Sequence, residues 1–147
     1  MSEQQGPFGG PYLAAACFCE KVLQEQDGVV SLIRVIDRTT VATEGKDAPE
    51  ELPTVKLDQT LFLSFKAGFA RGKMKVNVSP ITPSGHPLPT VTTAVLFEGE
   101  DRGVNLIMKT QLEVKEEGLY WFEVFVEEAL VTRVPYRVLY QRIVHRS

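Results

Sequence analysis

The stretch Glu116-Glu117-Gly118-Leu119-Tyr120-Trp121-Phe122-Glu123-Val124-Phe125-Val126 constrains this chain more than any other. Two acidic residues and a glycine make a turn, and large side chains then alternate strictly. A period of two belongs to a β-strand, whose successive side chains point to opposite sides of a sheet. Tyr120, Phe122, Val124 and Val126 therefore share one face, and Leu119, Trp121 and Phe125 share the other.

The order of turn, glycine and tyrosine also resembles a specific corner. Immunoglobulin-like sandwiches place a tyrosine two residues before the inter-sheet cysteine position and tie its hydroxyl back to the turn backbone. Tyr120 holds the tyrosine position here, and Phe122 stands where the cysteine would be. The pattern implies a version of that fold which needs no disulfide.

Strand patterns recur along the rest of the chain. Thr60–Lys66 sends Leu61, Leu63 and Phe65 one way, and Lys73–Val78 alternates Met74, Val76 and Val78 with polar residues. Val91–Phe97 and Val104–Val114 follow, separated by the charged turn Glu98–Gly103. A last hairpin joins Leu119–Val126 to Leu130–Tyr140, with Val134, Tyr136, Val138 and Tyr140 on its inner side. Pro135 lacks an N–H, so its strand is expected at an edge or a bulge. For Tyr12–Leu23 two readings stand: Pro11 and the alanines suit a helix start, whereas Gln26-Asp27-Gly28 is a hairpin turn leading into the β-branched run Val29–Asp37. The hairpin, residues 12–23 with 29–37, is favoured. Both faces of its first strand are apolar, so it is expected to be covered on both sides. Residues 43–53 read as a polar loop.

The sum is an all-β protein, an immunoglobulin-like antiparallel β-sandwich of about eight strands. Residues 1–11 form an N-terminal arm, 12–141 the domain and 142–147 a tail. A chain of 147 residues with 44% hydrophobic residues fits one domain with a sizeable core. Its net charge of -3 is no footprint for nucleic acid. No apolar run reaches the length of a membrane-spanning helix. The first ten residues lack the basic start and apolar centre of a signal peptide, and a cytoplasmic protein is expected.

Little in the chain carries chemistry. There are two histidines, His86 and His145, and no nucleophile elbow or phosphate-cradling loop. Cys17 and Cys19 lie one residue apart on an apolar strand; they cannot readily close a disulfide and read as inert core residues. The acidic loops (Asp47, Glu50, Glu51, Glu98, Glu100, Asp101) lack the repeated spacing that converges carboxylates on Ca²⁺. No catalytic residue, metal ligand or cofactor follows from these patterns. The outer face of the penultimate strand is more informative. Leu119, Trp121 and Phe125 lie beside Arg133 and Arg137, the composition of an interface hot spot. Either a protein partner or a second copy covers this face, or the N-terminal hairpin or a long loop does and makes it a second small core.

The N-terminal half adds a family likeness. Cys19-Glu20, then Asp27-Gly28-Val29, then Ser31-Leu32-Ile33-Arg34-Val35-Ile36-Asp37 resembles the opening of a family of small uncharacterised bacterial domains. The corner Gly118–Phe122 resembles their C-terminal part, so the likeness covers most of residues 12–140. The chain departs at Glu20, where that family more often has aspartate, and at Arg34, where a small residue is commoner. The resemblance implies a bacterial, cytosolic β-sandwich with no assigned activity. It also makes Asp37 with Arg34 or Arg38 a strand-end polar contact. The expected role is a non-catalytic interaction or scaffolding module that binds a protein partner or itself through a sheet face or edge. A Ca²⁺-dependent membrane-binding sandwich and a small-ligand protein or enzyme are the rivals.

Overall fold

In the computed structural model, which describes residues 9–144, the chain forms seven β-strands and, among those residues, no helix. They are β1 (Tyr12–Gln24), β2 (Val30–Ile36), β3 (Arg38–Glu44), β4 (Val55–Ile81), β5 (Val91–Val114), β6 (Gly118–Val126) and β7 (Ala129–Ile143). All belong to one sheet, ordered β2-β1-β4-β6-β7-β3, with β5 also paired to β4. That order depends on the length of β4, whose 27 residues serve two partners in succession. Thr60–Lys66 pairs with β1, and Val76–Ile81 pairs with β6. β5 pairs with both halves of β4 and bends with it.

The bend lies where the β4–β5 register shifts, between Lys66 and Gly68 and again between Gly68 and Arg71. Gly68 has φ +59°, and Gly99 on β5 has φ +90°, both left-handed conformations open to glycine. Space is short there too. A Cβ on Gly68 would lie 2.7 Å from the carbonyl oxygen of Gly9, which accepts the Phe69 N–H at 2.7 Å. The last residues of the expected arm are thus packed on the bend. Residues 1–8 and 145–147, which hold the rest of that arm, half of the tail and His145, lie outside the described residues.

Beyond the bend the sheet doubles back, so that β1 faces β6 and β7. Phe18 on β1 meets Phe122 on β6 and Tyr136 on β7 edge-on, with ring centroids 4.8 Å apart in each case. Around this trio lie Leu61, Leu63, Phe65, Val76, Val78, Val114, Val124 and Val138, each fully buried. The inner side chains expected of the last hairpin are buried from Tyr120 to Val138, and Tyr140 is half-buried.

Several expectations change. Eight strands become seven, because the pairs 60–66 with 73–78 and 91–97 with 104–114 are each one long strand, and β3 is new. The sheet is mixed, since β3 runs parallel to β7. β3 begins one residue after β2 with no glycine or proline between them, so no turn residue separates the two in the sequence. It also takes Thr43 and Glu44 from the expected loop. Pro135 sits in an interior strand, yet β3 reaches only from Arg137 onward, so β7 is locally an edge at the proline. The expected hairpin of β1 and β2 is present.

Phe18→Ala removes the ring that joins the two halves of the folded sheet. It is expected to cost about 3–5 kcal/mol, read as a lower urea midpoint of a single unfolding transition.

Candidate functional site

The face proposed from sequence comes from β6 and β7. Pairing sets Leu119 opposite Arg137, Trp121 opposite Pro135 and Glu123 opposite Arg133. The alternation places Leu119, Trp121, Glu123 and Phe125 outward and half-buried, with Arg133, Pro135 and Arg137 exposed. The Arg133 guanidinium lies 4.7 Å from the centre of the Trp121 ring, a cation–π contact, and its Nε is 3.3 Å from Glu123 Oε2. The β1–β2 hairpin does not cover this face, because β1 pairs with the other half of β4. A bulge between Val124 and Phe125 sets Phe125 opposite Leu130, which is 49% exposed.

At one end of the folded sheet, a cavity of about 620 Å³ opens between the 82–90 loop and β5. Tyr120, Phe122 and Leu112 line its apolar side, and Lys56, His86 and Glu116 line its polar side. Glu116 organises this end. Its carbonyl accepts the Tyr120 hydroxyl at 2.7 Å, the tie expected at the tyrosine corner. Its carboxylate accepts the Ser84 N–H at 2.8 Å and the Ser84 hydroxyl at 3.0 Å.

Ser84, His86 and Glu116 make a serine–histidine–carboxylate set that the sequence reading did not assemble. Their connectivity is wrong for nucleophilic catalysis, which needs the histidine between serine and carboxylate. Here the serine is central. With its proton on Glu116, the Oγ can only accept from His86 Nδ1, at 2.9 Å, so that ring nitrogen is a donor and no base. The His86 backbone N–H donates to Thr82 Oγ1 at 2.9 Å. The network pins the loop.

The thiols are not the core residues expected: Cys17 is half-buried, and neither belongs to the main core. Cys17 and Cys19 are free, and burial pushes both above the ordinary thiol range. The expected double cover of β1 is not present among the described residues. Cys19 and Phe62 are buried yet lie outside the main core, on the outward face of the sheet. Beside Cys19 on that face, Val35 of β2 is 61% exposed. Asp37 is a strand-end contact as expected: Arg38 Nε, at 3.0 Å, holds its carboxyl below the usual range. Arg34 instead pairs with Glu20 at 2.8 Å. Among the described residues no three His, Cys, Asp or Glu side chains gather in a way that would hold a metal ion. No helix there is long and apolar enough to cross a membrane.

These features define an all-β domain built on one folded mixed sheet, with polar networks that lock loops and strands. The chain belongs to DUF6941, a family of unknown function that matches residues 14–139. No curated protein matches it.

Tyr120→Phe deletes the corner bond and is expected to cost about 1 kcal/mol in urea unfolding. Burial raises the pKa of Cys17, Cys19, Tyr120 and Tyr136, so folding favours their protonated forms. The stability they contribute is whole below the ordinary thiol pKa and is lost as pH rises through the raised values. Unfolding free energy is therefore expected to hold to about pH 8 and to fall above it, and Cys19→Ala is expected to make the fall shallower, with Cys17 keeping the onset in place.

Proposed function

We propose that this protein is a non-catalytic interaction module that works through the outer face of β6 and β7. The observation that carries the reading is Trp121, under the Arg133 guanidinium on a sheet face that the N-terminal hairpin leaves uncovered. Tryptophan and arginine contribute most to binding when a partner excludes water from them. Arg137 has no side-chain partner among the described residues, and with Arg133 it suits a protein surface that presents carboxylates around an apolar centre. We take the folded sheet as an immunoglobulin-like sandwich acting in the bacterial cytoplasm, with a protein partner or a second copy as the bound species. The serine-centred order of Ser84, His86 and Glu116 favours binding over catalysis.

Trp121→Ala and Phe125→Ala are the test, because neither side chain belongs to the main core. Both variants are expected to melt within a few degrees of wild type. Each is expected to lose a partner recovered from host lysate by the wild-type protein, or to lose self-association in sedimentation. Unfolding of either variant would show the face to be structural and remove the proposal.

A further inference from the structure

A second cleft opens where the sheet splits. β1 and β4 pair up to Cys19 opposite Thr60 and then part company: β1 continues with β2 to Gln24, and the Val55–Gln59 end of β4 continues with β5. The gap, open to solvent, has a volume of about 690 Å³ and is lined by Val22, Ile36 and Ile107 on its apolar sides.

Its polar groups are unequally used. Both carboxylates on the wall are engaged, Glu20 by Arg34 at 2.8 Å and Asp58 by the Gln111 side-chain amide at 3.1 Å. The donors are free. Lys21 and Lys109 line the cleft, and neither ammonium has a partner among the described residues. Gln59 is 4% exposed, and its carbonyl oxygen accepts the Thr110 hydroxyl at 3.0 Å. Its amide nitrogen is buried with no hydrogen-bond partner. An amide donor without an acceptor is costly in a protein interior, where a methionine of similar length would carry no such penalty. With Arg34 counted against Glu20, three cations here face two carboxylates.

We propose that the cleft between β1 and β4 binds a small organic carboxylate with a short apolar body. The apolar part lies against Val22, Ile36 and Ile107. The carboxylate meets Lys21 and Lys109 at the rim, and one oxygen takes the Gln59 amide hydrogen after a small shift of that side chain. Neutral ligands of the same shape leave both ammonium groups unmatched and are rejected. The cleft is independent of the Trp121 face, so either assignment stands or falls alone.

The probe is hexanoate, titrated at neutral pH into ¹⁵N-labelled wild-type protein, with hexanamide as its uncharged counterpart. Saturable shifts are expected at residues 19–22, 58–60 and 107–111 with hexanoate and not with hexanamide. Lys109→Gln and Lys21→Gln are each expected to weaken binding by about tenfold. Gln59→Met relieves the orphaned amide but leaves the Thr110 hydroxyl unpaired, so it is expected to melt within a few degrees of wild type yet bind hexanoate more weakly, which separates a ligand donor from a folding defect. Three results would overturn the proposal: no saturable shift at tens of millimolar hexanoate, shifts confined to another surface, or undiminished binding by Gln59→Met together with both lysine variants.

Discussion

Everything in this fold depends on β4 being shared. One strand of 27 residues lends its first half to β1 and its second half to β6, with β5 along both. A straight strand of that length would leave one broad, flat sheet with no second layer over its apolar face. The bend at Gly68 converts that sheet into two facing halves, and the Phe18, Phe122 and Tyr136 rings close the space between them. The core is thus built from strands far apart along the sheet. The tight approach of Gly9 to Gly68 leaves no room for a side chain at the hinge.

The strand content was legible in the sequence because period-two alternation survives wherever one face is buried. Tyr120 to Val126 reads correctly residue by residue, and so does the tie from the Tyr120 hydroxyl to Glu116. The architecture was less legible, for definite reasons. Charged and glycine-rich stretches such as Glu98–Gly103 look like turns, yet here they are strand that bends while keeping its pairing. β3 escaped notice because its inward residues are Thr39, Val41 and Thr43, and two of the three are polar. Those threonines hydrogen-bond the Tyr136 and Tyr140 hydroxyls, so polar groups occupy positions that a pattern reader reserves for apolar ones. Gln59 lies outside the expected strand, which begins at Thr60, five residues after the start of β4. The cleft had no local pattern to find, because it arises where two strands distant in sequence diverge.

The polar side chains divide into two kinds. Some hold the backbone: the Tyr140 hydroxyl donates to Pro49 O at 2.5 Å, Arg142 Nε to Ala48 O at 2.9 Å, and Glu117 accepts the Tyr140 N–H at 2.7 Å. These bonds moor the 45–54 loop and the β5–β6 turn to β7, as the Ser84 set moors the 82–90 loop. Groups used in that way have little left for a ligand. Among the groups that make no such bond are Arg137 beside the Trp121 face, and the lysines and amide of the β1–β4 cleft.

The sheet edges explain why recognition would fall to a face or a cleft rather than to added strands. β2 ends the sheet on one side, but Arg34 in its middle has φ +54°, a backbone kink that an incoming strand cannot match, and its side chain is tied down to Glu20. β5 bends through Gly99 and Glu100, so its long free side is not one straight template either. The kinks at Arg34 and at Gly99 and Glu100 thus interrupt two of the edges at which another chain could extend the sheet, and the third, β3, is only seven residues long. An irregular edge protects the protein from indiscriminate pairing, so the two proposed sites rest on side-chain chemistry, Trp121 under Arg133 and the unpaired donor at Gln59, rather than on strand addition.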